Sequence, residues 1–347
     1  MSLKNDSVQI VESIFENPLN FLRLGEPQVY QNMTVIPIII QDDKCIEFIT
    51  IKEAEELELI EIVETDTVSQ LDVINKSKDQ LLIPFGMTVH GGKQDRTIWE
   101  PILLPSGGKQ NIFHGKSQNS PEKYRIPAKC VEQSRWNYKK GRGFKSSNIR
   151  LHPNVAFEAI SATGQSGVWQ EIQSHRQEMN YAMNVAPTQS YLEMTINSEK
   201  KTQNMIKNFK SIENQCGIAV FINNEFIGIE FYANPNAWNY MREDILKAFS
   251  IEALRFKEES IQEKEVAFHD IIIRTFYDLD LKFTERKGIG LGNVVEFNSK
   301  DSKWRGITLV QDNTMIQFYL VSKRGGYQNK PLRNVQFQTV INQRYQI

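Results

Sequence analysis

Cysteine is scarce: the 347-residue chain holds three, Cys45, Cys130 and Cys216, far apart and odd in number. No CxxC pair exists among them, which argues against a zinc ribbon and a disulfide framework and favours a reducing compartment. Net charge is nearly absent as well. Lys plus Arg is 41 against 42 for Asp plus Glu, so the balance of −1 gives no global steering toward nucleic acid. No apolar run approaches the ~18 to 20 residues that a membrane span needs. Nor does the N-terminus carry a signal-peptide core, because Val8-Gln9-Ile10-Val11 is flanked by Lys4 and Asp6 and broken by Glu12 and Glu16. The expectation is a soluble cytoplasmic protein with no membrane partner.

Nucleotide motifs are incomplete too. Lys93 follows Gly91-Gly92, but the Walker pattern asks for glycine where Met87 stands and for Ser or Thr where Gln94 stands. A P-loop is excluded. Gly288-Ile289-Gly290-Leu291-Gly292 has the wrong spacing for a dinucleotide fingerprint, and strand-like Asn293 to Phe297 follows it. A turn or bulge is expected there.

What the chain does hold is a pair of polar signatures. Gly91-Gly92-Lys93-Gln94-Asp95-Arg96 follows the apolar run Leu81 to Phe85, and Cys130-Val131-Glu132-Gln133-Ser134-Arg135-Trp136 follows Ile126. Each puts at least one cation, an amide and a carboxylate into a few residues. That mixture suits a pocket for an anionic small molecule. The two glycines let backbone N–H groups approach an anion while Lys93 and Arg96 supply charge, although the same residues also make a tight turn with solvated cations. Glu132, at the end of an inward strand face formed by Ile126, Ala128 and Cys130, is the stronger acid/base candidate. Its alternative is an ion pair with Arg135 or Arg96. Cys130 is a weaker candidate nucleophile, with His90 and His114 the upstream histidines available as a base. Trp136 is placed to stack on a ring or to fill the core.

The remaining pattern points to an α+β protein with three stretches. Residues 1–24 read as an amphipathic helix with Val8, Val11, Ile14, Phe15 and Leu19 on one stripe. Residues 25–150 read as a β-rich, sandwich-like or barrel-like half carrying the candidate site. Within it, Thr50 caps a short acidic helix over 53–59, and Trp99–Leu104 with Tyr124–Val131 reads as a hairpin with an enlarged loop. Residues 151–347 read as a mixed α/β half with hairpins and two to three helices, packed as one unit with the first. There, Asn223-Asn224 and Asp312-Asn313 are turns, and Asn234-Pro235 opens a helix with Trp238, Met241, Ile245, Leu246 and Phe249 inward. His175, on a stripe with Val168 and Ile172, reads as a hydrogen-bonded helix histidine rather than a ligand. The acidic helix, with no histidine beside it, reads as a solvated face, so no metal is expected.

Several motifs follow one another in a familiar order: Gly-Lys-Gln-x-Arg at 92–96, Cys-Val-Glu-x-x-Arg-Trp at 130–136, Phe144-Lys145-Ser146-Ser147, Gln165-Ser166-Gly167-Val168-Trp169, Gly228 in a hairpin, and Gly288-Ile289-Gly290. The series resembles the ADP-ribosylglycohydrolase and rhodanese-phosphatase-associated protein domain family over residues 28–320. The resemblance implies that Lys93, Gln94, Arg96, Cys130, Glu132, Arg135 and Trp136 occupy signature positions, and it names no cofactor. Two departures stand out: Thr88-Val89-His90 where the family carries an acidic residue, and an insertion-like loop over 107–123.

The leading expectation is binding, with processing open, of an ADP-ribose-like or nucleotide-like anion. Lys93, Arg96 and Arg135 would hold phosphate, and Glu132 would hold ribose or act as acid/base. The competing classes are a non-enzymatic protein-interaction module of a stress or defence system, and RNA binding through the basic segment 129–145 with Trp136 and Tyr138 stacking.

Overall fold

A computed structural model describes residues 6–41, 46–65, 67, 69–92, 94–107, 122–131, 144–160, 164–183, 191–256 and 266–323. The fold is α+β and rich in strand. Its largest unit is an antiparallel sheet of nine strands, running from Leu22–Leu24 through Met33–Ile40, Gly217–Ile222, Glu225–Tyr232, Thr314–Ser322, Trp304–Gln311 and Asn293–Ser299 to Leu281–Lys287, with Gln28–Tyr30 paired to Met33–Ile40. This sheet takes strands from both sides of residue 150. Met33–Ile40 lies against Gly217–Ile222 with Ile36 opposite Ala219, so the N-terminal and C-terminal stretches share one scaffold.

Local signals account for many of these elements. Asn223 and Asn224 take φ values of 47° and 61° between Gly217–Ile222 and Glu225–Tyr232, the left-handed turn that asparagine tolerates. Asp312 and Asn313, at 50° and 62°, do the same for the next hairpin. Asn234 accepts a hydrogen bond from the Ala237 N–H at 2.8 Å and caps the helix Pro235–Leu254, whose Trp238, Met241, Ile245, Leu246 and Phe249 are all buried. Thr50 caps Ile51–Glu56 through the Glu53 N–H.

The N-terminal helix is shorter than its stripe suggests. It ends at Glu16, Pro18–Phe21 forms one further turn, and Leu22–Leu24 pairs with Ile38–Ile40 as a strand. Pro18 disfavours the helical conformation at Asn17, which breaks the run, and Leu19 is left exposed. Val11, Ile14 and Phe15 are buried on the large sheet, where the Phe15 ring lies 5.4 Å from that of Phe297.

Two smaller sheets carry the candidate site and its support. One has six strands, in the order Lys145–Arg150, Met87–His90, Arg96–Ile98, Lys123–Cys130, Gln70–Asn75 and Ile60–Glu64. The other sets Ile102–Leu104 against Leu81–Ile83, which runs parallel to Ile49–Thr50. The hairpin expected between Trp99–Leu104 and Tyr124–Val131 is therefore not formed. Ile102–Leu104 is buried at all three residues and joins the equally apolar Leu81–Ile83 between covered faces. Lys123–Cys130 alternates from exposed to buried and joins a half-buried sheet instead.

The second half is also richer in helix than expected, with six among the described residues: Pro153–Ile160, Gly164–Met183, Tyr191–Asn197, Glu199–Ile206, Pro235–Leu254 and Phe268–Asp278. No helix among the described residues is long and apolar enough to cross a membrane.

Candidate functional site

Strands Met87–His90 and Arg96–Ile98 pair, with Val89 opposite Arg96, and the first signature is the turn that joins them. Gly91 and Gly92 have φ of 141° and 51°, a sequence of conformations that side chains resist. Space forbids one at Gly92 as well: a Cβ there would fall 2.3 Å from Glu64 Oε2 and 2.4 Å from Phe144 Cζ. The turn is thereby pressed onto the end of Ile60–Glu64 and the start of Lys145–Arg150. Across its mouth, His90 Nδ1 lies 2.6 Å from Asp95 Oδ1.

The first residue of the second signature, Cys130, ends the neighbouring strand Lys123–Cys130. Cys130 is the register partner of Arg96, and Lys129 that of Thr97. Cys130 Sγ donates to Gln94 Oε1 at 3.2 Å, the Val131 N–H donates to the Asp95 carbonyl at 3.1 Å, and Trp169 Nε1 donates to the Cys130 carbonyl at 3.1 Å. Two stretches that are 34 residues apart at Arg96 and Cys130 thus form one hydrogen-bonded ledge.

Each expected residue can now be placed. Gln94, Arg96 and Cys130 come together at this ledge, and all three are buried. Lys93, Glu132, Arg135 and Trp136 lie outside the described residues, as does the loop 108–121 with His114. Arg96 is turned inward. Its guanidinium donates to the Gln70 carbonyl at 2.8 Å and pairs with Glu64 at 2.5 Å, and its Cζ sits 5.2 Å from the Phe144 ring centroid. Cys130 is a buried small residue whose thiol is engaged by Gln94. Of the basic segment, Lys129 also points inward, donating to the Ala159 carbonyl at 2.8 Å with its Nζ 4.6 Å from the Trp99 ring centroid. Burial pushes its pKa down. Lys145 is exposed and lies opposite His90 in the register.

Behind the ledge is a buried polar seam that the sequence reading missed. Arg150 ends the strand that flanks Met87–His90. It pairs with Glu230 at 2.7 Å, donates to the Tyr232 hydroxyl at 2.7 Å, and bonds the Phe85 carbonyl. Gln317 completes the set, donating to Glu230 at 2.8 Å and accepting from the Phe85 N–H at 2.8 Å. Burial pushes the Glu230 pKa up, and Arg150 and the hydrogen bonds from Tyr232 and Gln317 offset only part of that rise. The signal for this seam was one carboxylate, Glu230, inside the otherwise apolar run Phe226 to Tyr232.

A second buried centre surrounds Arg255, whose Nε donates to Glu178 at 2.7 Å and whose Nη1 pairs with Glu252 at 2.5 Å. His152 and His175 lie beside it, their ring centroids 4.6 Å apart and their planes tilted by 51°. His175 is not the hydrogen-bonded histidine expected: neither ring nitrogen has a partner among the described residues. It packs on His152 in the core because Val168, Ile172 and His175 share the inward stripe of Gly164–Met183. Burial first, then the Arg255 charge, holds both imidazoles well below their ordinary pKa. Among the described residues no three His, Cys, Asp or Glu side chains are grouped to hold a metal ion.

Comparison with known proteins gives one match. The model of the ARG and Rhodanese-Phosphatase-superfamily-associated Protein domain matches residues 21–321, which takes in the ledge, the seam and the large sheet. No curated protein and no solved structure matches the chain.

Proposed function

We propose that this chain, which belongs to the family of ARG and Rhodanese-Phosphatase-superfamily-associated Protein domains, binds a nucleotide-like anion of the ADP-ribose class at the ledge between its two signatures. The reading takes ARG in the family's description to stand for ADP-ribosylglycohydrolase, and a stress or defence setting goes with it. The observation that carries it is the register that seats Cys130 opposite Arg96, so that one residue of each signature lies beside the other. A turn with two glycines of positive φ brings backbone N–H groups near such a ligand without side chains in the way.

The roles divide by burial. Arg96, Gln94 and Cys130 are the frame, since their polar atoms are used inside the protein. Direct contact with phosphate falls to Lys93, Arg135 and the exposed Lys145, and Trp136 is the stacking surface. Glu132, the residue after Val131 in the chain, is assigned to a ribose hydroxyl.

A thermal-shift screen of the full chain with NAD, ADP-ribose, cyclic nucleotides and short RNA tests this reading. A ligand at a hundred times its Kd stabilises the native state by about 2.7 kcal/mol, a shift that is easily read. ADP-ribose or a close analogue is expected to raise the midpoint. A response to RNA alone would transfer the site to nucleic-acid binding, and silence toward every small anion would leave a protein-interaction module.

A further inference from the structure

We infer that His90 is the proton-transfer residue of this site and Asp95 its positioning residue, and that the bound diphosphate is hydrolysed there. The inference rests on the binding reading above and goes beyond it. Its basis is the asymmetry of the pair. Asp95 is 2% exposed while His90 is 54% exposed, and their 2.6 Å contact runs through Nδ1 of the imidazole. A buried carboxylate accepting from Nδ1–H fixes the tautomer and leaves the Nε2 lone pair directed outward as a base. No described residue hydrogen-bonds Nε2.

The surroundings suit that role. His90 and Thr88 share one face of their strand by the period of two. Thr88 is fully buried and bonded to Ser147 and the Ile149 carbonyl, so the face opens from a closed floor at Thr88 to solvent at His90. Lys145, the cross-strand partner of His90, places a cation on the same open face, where it would meet a phosphate oxygen. Asp95 is itself held in place, because its carbonyl accepts from Val131 at the end of the neighbouring strand. The dyad is therefore built on the strand ends that carry both signatures.

The step is hydrolysis of the phosphoanhydride bond. A water O–H bond breaks and its proton passes to His90 Nε2, while the water oxygen bonds to phosphorus. The bridging P–O bond breaks, its electron pair leaves with the departing phosphate oxygen, and the imidazolium returns the proton to that oxygen. ADP-ribose and water give AMP and ribose 5-phosphate, with no oxidant, reductant or other co-reactant.

The test uses the full chain with ADP-ribose, following products by phosphorus NMR and binding by calorimetry. Wild type is expected to form AMP and ribose 5-phosphate. His90→Gln, at an exposed position that tolerates the change, is expected to lower turnover at least about a hundredfold, with Kd within about threefold. Asp95→Asn is expected to lower kcat at least about tenfold with Kd within about threefold, the split expected of a residue that fixes the imidazole tautomer without touching the ligand. Asp95→Glu, which keeps the acceptor for Nδ1–H, should restore part of kcat. Binding of ADP-ribose without cleavage, or wild-type turnover by His90→Gln, overturns this inference and leaves the binding reading standing. Absence of binding by the wild type overturns both.

Discussion

His152 and His175 pack against each other in the core, their ring centroids 4.6 Å apart and their planes tilted by 51°, and the Arg255 guanidinium lies beside them. Both imidazoles are fully buried and held neutral, by burial first and by Arg255 second, with His152 adding to the effect on His175. An unfolded chain would protonate them near their ordinary value of ~6.5, so below that pH the unfolded state binds more protons. Their contribution is present above about pH 6.5 and is lost as pH falls toward the depressed folded values. Between pH 7 and 5.5 the pair should cost about 2 kcal/mol of unfolding free energy. Glu252, whose pKa burial raises, takes up a proton in the same core and opposes that loss. The informative quantity is thus a difference: urea melts of His175→Leu should show a pH dependence weaker by about 1 kcal/mol over this range than those of the parent. Equal slopes would mean that the two rings are not buried as a neutral pair.

Arg150 and Glu230 make a different kind of prediction, because both are buried and both have further partners. Removing one member leaves an unpaired charge in the core. Arg150→Met is expected to lower stability by about 3 to 5 kcal/mol in denaturant melts. Replacing both, as Arg150→Met with Glu230→Gln, should recover part of the loss, since glutamine carries no charge and retains an acceptor for Tyr232. The seam also joins the site-bearing strand pair to the large sheet, so the single variant should weaken ADP-ribose binding more than its distance from the ledge suggests.

Cys130 is buried, and its thiol donates to Gln94 on the adjoining strand. That is the environment of a small core residue whose thiol makes a weak hydrogen bond. Cys130→Ala should cost roughly 1 kcal/mol in stability and leave ligand response and any turnover within about tenfold. Loss of all turnover in a folded Cys130→Ala protein would make the thiol the nucleophile and displace His90 from its role.

The contrast between local and distant signals explains what was legible. Asn223-Asn224, Asp312-Asn313, the Asn234 cap and the Thr50 cap each depend on a few consecutive residues, and each stands where the sequence places it. Partner choice depends on the whole chain. Nothing near Ile102–Leu104 says that its neighbour is Leu81–Ile83 rather than Tyr124–Val131, and nothing near Met33–Ile40 points to Gly217–Ile222. The ledge was half visible for the same reason. Its residue types mark two polar signatures, but a sequence does not show which cations face outward, and Arg96 and Lys129 face in. The His90–Asp95 contact spans five residues and was within reach of local reading, yet it forms only because the Gly91-Gly92 turn folds the chain back.

That inward turn of Arg96 separates framework from ligand contact. Arg96 has no exposed surface, and its charge is taken up by Glu64 and the Gln70 carbonyl. Arg96→Ala removes those bonds, the buried ion pair to Glu64 among them. The expected cost is about 3 kcal/mol in a denaturant melt, with ligand affinity falling only because the frame loosens. Lys93 lies in the same turn of the sequence and is assigned to phosphate. Lys93→Ala should leave the melt within about 0.5 kcal/mol of wild type and weaken ADP-ribose binding by about 1.5 to 3 kcal/mol, the worth of one charge-assisted contact. Glu132→Gln adds the third signature: with His90 carrying the proton, glutamine at 132 should reduce affinity through the ribose and leave kcat within about tenfold. A hundredfold fall in kcat with unchanged affinity would return the acid/base role to Glu132. Unfolding of Glu132→Gln would instead make that carboxylate a structural partner of an arginine.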